Sequence, residues 1–117
     1  MDKRALVIAA VAVIVPAGVA SAHHGWGSYD ATKPFTISAP VETLTWADPH
    51  THVTLKYQGA VWEATLAPLF RMSARGLSQG MLKPGTPVTV VGYPSTVQPH
   101  EMRAERISVG GKTVELR

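Results

Sequence analysis

Six short runs of β-forming residues, most of them closed by a turn bearing Gly, Pro or Asp, leave this chain few folds to choose from. The clearest run is His52 to Tyr57, where Val53, Leu55 and Tyr57 alternate with His52, Thr54 and Lys56. A period of two puts the first set on a buried face and the second on an outward one. Gln58-Gly59 is a hairpin turn into Val61 to Leu66, whose Trp62, Ala64 and Leu66 should point inward. Val41 to Trp46 is a further strand with mixed parity. Ile37, Ala39 and Val41 fall on one phase and Leu44 and Trp46 on the other, so a bulge that bends the strand would reconcile them. Asp48-Pro49 forms the turn between these first two strands.

Pro68 to Arg75 is the one helix candidate, with Pro68 suited to its first position and Gly76 to its end. Leu69, Met72 and Leu77 would lie against the sheet. Val88 to Tyr93, Met102 to Val109 and Thr113 to Leu116 complete the strands, separated by the Pro94 to Pro99 loop and the Gly110-Gly111 turn. Three strands, a short helix, two strands and a last hairpin strand make a mostly β chain. Its order predicts a small OB-like Greek-key β-barrel of five to six strands with one short helix. An open β-sandwich and another small barrel are the alternatives. Residues 41–117 would form the barrel, and residues 23–40, punctuated by Gly and Pro, an N-terminal arm.

The first 22 residues read differently. Lys3 and Arg4 precede an unbroken apolar run of 11, Ala5 to Val15, which Pro16 and Gly18 then break. Ala20-Ser21-Ala22 follows, with small residues where a signal peptidase requires them. This is the pattern of a secretory signal peptide. The run falls short of the roughly 20 apolar residues that span a bilayer. Cleavage after Ala22 would leave 95 of the 117 residues, beginning His23-His24-Gly25-Trp26, with no membrane span and a periplasmic or secreted location. That mature chain carries nine basic and seven acidic residues, a net charge of +2. So small a charge, without a basic stripe, argues against nucleic acid as a partner.

His23-His24-Gly25-Trp26 with Tyr29-Asp30, then Trp46-Ala47-Asp48-Pro49-His50, then Met102 to Ile107 with Val114-Glu115-Leu116, resemble a family of small secreted bacterial proteins of unknown function. The resemblance covers nearly all of the mature chain. It implies an extracytoplasmic location and a β-rich fold, and it supplies no activity. One departure is Asp48, where the family more often has Asn; it adds a charge beside the histidines.

The chemistry must therefore come from the residues. The chain has no Cys, which excludes a disulfide framework, a Cys-ligated metal site and a thiol nucleophile. It leaves five His, all in the mature chain, as the candidate ligands for a transition metal. Cleavage after Ala22 would make His23 the N-terminal residue, able to chelate one metal through its α-amine and ring Nδ1. That is the half-site of a copper histidine brace, and copper(II), which favours nitrogen-rich tetragonal coordination, suits it better than zinc. His50 and His52 are spaced i, i+2, which on a strand places both rings on one face about 6.6 Å apart. His24, His100 and Asp48 are secondary candidates, Asp48 also as the opener of the Asp-Pro turn.

No catalytic constellation emerges, so a non-catalytic role is expected. Glu63 reads as a solvated strand charge, and Glu101 and Glu105 as surface ion partners of Arg103 and Arg106. Trp62 reads as core, and Trp26 as a pin holding the arm against Trp46. Two function classes stay open. One is an extracytoplasmic barrel that binds copper through His23, His50 and His52. The other is a periplasmic module that binds a protein or small ligand, its histidines incidental.

Overall fold

A computed structural model describes residues 25–117. The expected signal peptide, His23 and His24 lie outside the described residues. The chain is mostly β, with β1 (Phe35–Thr45), β2 (His52–Tyr57), β3 (Ala60–Thr65), β4 (Pro87–Pro94), β5 (Glu101–Val109) and β6 (Lys112–Glu115). One short helix, α1 (Leu69–Ala74), stands between β3 and β4.

Strands β1, β2 and β3 form an antiparallel meander, β1 also pairs with β4, and β4 pairs with β5, each antiparallel. The closing contact is parallel: Glu63, Ala64 and Thr65 of β3 pair with Glu101, Met102 and Arg103 of β5. Five strands thus make a closed barrel in the order β1-β2-β3-β5-β4, and β6 extends the second half of β5. This is the OB-like Greek-key arrangement that the order of elements predicts.

The barrel closes because β1 serves two neighbours. Phe35 to Pro40 pair with β4, whereas Val41 to Thr45 pair with β2, and the second register slips between Val41 and Thr43. That slip is the bulge required by the mixed parity of Val41 and Leu44. The strand begins at Phe35, earlier than the Val41 start read from the sequence. Pro40 disguises the first half, since proline donates no ladder bond; it is accommodated opposite Pro87, where β4 begins.

Alternation along the strands builds the core as expected. Ile37, Val41, Val53, Leu55, Ala64, Val90, Met102, Ala104 and Ile107 are buried, joined by Leu66 after β3 and by Met72 of α1. Each large side chain among these contributes on the order of 1.5–3 kcal/mol by leaving water. Pro68 precedes α1, and Met72 and Leu77 pack into the barrel as the helix reading predicts. A 3-10 turn at Gln79–Leu82, which the sequence reading does not contain, adds Leu82 to the core. Trp62 is partly rather than fully buried, grouped with Phe35 and Tyr57 at ring-centroid separations of 5.1 and 6.1 Å. The three rings close the barrel end where β1 begins and β2 ends. Both two-residue hairpins have positive φ at both positions (Gln58 51°, Gly59 80°; Gly110 55°, Gly111 83°), which suits the twist of the strands they join.

Candidate functional site

The site lies on the outer face of β2, β3 and β5, because strand pairing sets two rows of outward side chains there. His52 of β2 is opposite Thr65 of β3, and Thr65 opposite Arg103 of β5; Thr54, Glu63 and Glu101 form the next row. Two loops rise beside these rows, the β1–β2 loop with Pro49 and His50 and the β4–β5 loop with Gln98, Pro99 and His100. Together with Tyr29 they enclose a cleft of about 470 Å³. In OB folds this face and these two loops are where ligands bind.

The N-terminal arm forms the third wall. A 3-10 turn at Trp26–Ser28 leads to an isolated bridge between Tyr29 and Ser95. Asp30 N–H donates to the Pro94 carbonyl at 2.9 Å, and Thr96 N–H to the Ser28 carbonyl at 2.8 Å. Residues 28–30 of the arm are therefore stitched to the end of β4 and the start of the β4–β5 loop. Trp26 does not rest on Trp46, as the sequence reading had it. Its ring lies under two guanidinium groups, Arg103 at 4.4 Å and Arg117 at 4.5 Å, and meets Tyr93 edge-on at 6.1 Å. Trp46 packs against the barrel core instead.

This arm explains Arg103, which the sequence reading took for a solvated charge. On an uncovered outer strand face it would be exposed, yet it is only 4% exposed because Trp26 lies across it. Its Nη2 stands 3.4 Å from His50 Nε2. Burial draws the guanidinium down from its ordinary value, and Tyr29 and Glu101 act in the opposite sense. Arg103 and Glu101 are thus parts of the cleft, whereas Arg106 does make a surface pair, though with Glu115 and not with Glu101 or Glu105, its Nε donating to Glu115 at 2.9 Å. Glu105 accepts from the Tyr93 hydroxyl at 3.0 Å and lies 3.6 Å from Arg117.

The candidate ligands divide. His50, His52 and His100 all line the cleft, His50 from the loop before β2 and not from the strand itself. His52 Nδ1 is 3.2 Å from Thr65 Oγ1 and 3.5 Å from a Glu63 carboxylate oxygen. His100 has φ 57° and sets its ring edge-on to Trp62 at 5.4 Å. Asp48 does not line the cleft; its Oδ1 accepts the Leu69 N–H at 3.0 Å and so caps α1 from across the loop. Among the described residues no set of three His, Cys, Asp or Glu groups is placed to hold one metal ion.

Tyr29 donates its hydroxyl to Glu101 at 2.8 Å. Burial, followed by that hydrogen bond and by the carboxylate charge, pushes the phenol up to about 12. Because the folded value lies above the ordinary one of about 10, the resulting stability is present below pH 10 and is lost as pH rises toward 12. Thermal melts of wild type and Tyr29→Phe should therefore show a wild-type advantage at pH 8–9 that shrinks between pH 10 and 12. A gap that widens over that interval would contradict the assigned bond.

Fold and cleft define a small OB-like barrel with a polar, histidine-bearing pocket walled on one side by Tyr29 of its own N-terminal arm. The chain belongs to the DUF6152 family, a family of unknown function whose profile matches residues 10–101. No curated protein matches the chain. Membership agrees with the expected kinship to a family of unknown function and assigns no activity. Among the described residues no helix is long and apolar enough to cross a membrane.

Proposed function

We propose that this is an extracytoplasmic copper-binding protein, with His23 freed as the N-terminal residue and its amine and ring joined by His50 and His52. One observation carries the reading: the start of the described chain is anchored on the wall of the cleft that His50 and His52 line. Trp26 lies 4.4 Å from Arg103, whose Nη2 is 3.4 Å from His50. Three residues of extended chain span about 10 Å, so from Trp26 the position of His23 is within reach of the cleft. A half-set of imidazoles beside an N-terminal amine is a donor combination that favours copper(II) over zinc. The role would be carriage, delivery or buffering of the metal, with no catalytic step.

The test is calorimetric titration of copper(II) into protein beginning at His23, set against a variant with one added residue before it. Blocking the amine should weaken binding by at least about tenfold, as should His50→Ala and His52→Ala; second-sphere changes alone can cost that much. Weak binding indifferent to all three changes would overturn the reading. It would leave the cleft as a site for a protein or small ligand.

A further inference from the structure

One hydroxyl in the cleft has its direction settled by its neighbours, and the consequence reaches His52. Thr65 Oγ1 has His52 Nδ1 at 3.2 Å, Glu101 Oε2 at 3.5 Å and the Tyr29 hydroxyl as neighbours. Because Tyr29 donates its own proton to Glu101, both it and the carboxylate are acceptors toward Thr65. A threonine hydroxyl has one proton. The Glu101 carboxylate can only accept, and already accepts the Tyr29 hydroxyl on the same oxygen. As the stronger acceptor, an anion draws the Thr65 proton toward itself. Thr65 Oγ1 is then an acceptor on its other side, and the group facing it, His52 Nδ1, must be the donor. Glu63 points to the same assignment independently. Its carboxylate oxygen is 3.5 Å from Nδ1, where an N–H is attracted and a lone pair repelled.

We infer that Thr65, backed by Glu101, is a positioning residue that holds neutral His52 as its Nδ1–H tautomer and so offers the cleft the lone pair of Nε2. The relay runs from His52 Nδ1–H to Thr65, from the Thr65 hydroxyl to Glu101, with Tyr29 closing it from the arm. A histidine side chain free in water favours the other tautomer, with the proton on Nε2, so the network reverses the default. For the tautomer the inference stands alone; for the ligating nitrogen it rests on the copper reading above. In that setting Thr65 and Glu63 are the outer partners that orient a metal-ligating imidazole and raise its basicity.

The inference also explains why Thr65, only 5% exposed, is a hydroxyl-bearing residue at a place where valine would fill the same volume. Thr65→Val keeps the shape, removes the acceptor and leaves Nδ1–H facing a methyl group. Thr65→Ser keeps the acceptor.

The experiment is long-range ¹H–¹⁵N correlation NMR on the metal-free protein, at a pH where His52 is neutral. Wild type and Thr65→Ser should show His52 with a pyrrole-type Nδ1 and a pyridine-type Nε2. In Thr65→Val the pattern should move toward Nε2–H. Glu101→Gln provides the same reading if the valine variant does not fold, because an amide can donate to Thr65 and turn its proton toward His52. An Nε2–H pattern in wild type, or a pattern unmoved by Thr65→Val and Glu101→Gln, would overturn the inference whatever copper does. Copper(II) titration of the same samples separates the two claims. A loss of about 10–100-fold in affinity for Thr65→Val, with Thr65→Ser near wild type, supports the assigned role at the metal. An Nδ1–H wild type that binds no copper keeps the tautomer and rejects the metal reading.

Discussion

Gly92→Ala should cost about 3 kcal/mol or more, or prevent folding outright. A Cβ at Gly92 would stand 2.1 Å from the Arg103 carbonyl oxygen and 2.9 Å from Ala104 Cα. Both are backbone atoms of the neighbouring strand, so no side chain can turn aside to make room. Strands β4 and β5 would have to part where the ladder already slips between Val91 and Gly92. β4 cannot simply shift the other way, because Gly92 is also paired with Phe35 of β1. The close approach is thus built into the closure of the barrel. Denaturant titration reads the effect directly. Gly80→Ala is the control, since a Cβ there meets nothing within 4 Å, and it should stay within about 0.5 kcal/mol of wild type. A Gly92→Ala protein as stable as that control would mean that β4 and β5 do not approach as described.

What the chain reveals before folding, and what it withholds, follows from the range of each interaction. Local patterns were readable. The alternation of Val53, Leu55 and Tyr57 marks the inner face of β2, and the parity break between Val41 and Leu44 marks the bulge. Pro68 marks the start of α1, and Gln58-Gly59 the hairpin. Strand β1 was legible only in its second half, because Pro40 interrupts the pattern on which strand recognition depends. The cleft was legible in its histidines, since His50 and His52 share one, but not in the groups that give it shape. Thr65 faces His52 across the β2–β3 hairpin, but Glu101 and Arg103 come beside them only through the parallel pairing of β3 with β5, a contact between segments about 40 residues apart that no local pattern announces. Arg103 looks like a surface charge for the same reason. Its burial comes from Trp26, far away in the chain, and the hint available was an arm with two aromatic residues, Trp26 and Tyr29, and no other use for them.

That dependence makes Arg103 the second place where a single change should have a large effect. Arg103→Met keeps the length and apolar volume of the side chain and removes the charge from the Trp26 ring and the donor from His50. A desolvated cation–π contact is worth up to about 2 kcal/mol, and a hydrogen bond from a charged group adds about as much. Methionine regains part of this through its own contact with the ring, so a net loss of about 2–3 kcal/mol is expected. The loss should not spread evenly. The barrel core of Val53, Leu55, Ala64 and Ile107 does not depend on the guanidinium, whereas Trp26 rests on it directly. Amide hydrogen exchange should therefore quicken in the arm, at Tyr29 and Asp30, and at Thr96, whose N–H donates to Ser28 of the arm, while the central amides of β2 and β5 hold their rates. Arg103→Lys is the informative companion. It preserves the charge but not the flat fork that lies on an indole, so it should loosen the arm nearly as much as methionine does. Uniform loss of protection across barrel and arm would show that Arg103 supports the whole domain. Loss confined to the arm would show that the chain holds Trp26 and the arm that follows it against the histidine cleft through one buried guanidinium, the arrangement on which the proposed ligand role for His23 depends.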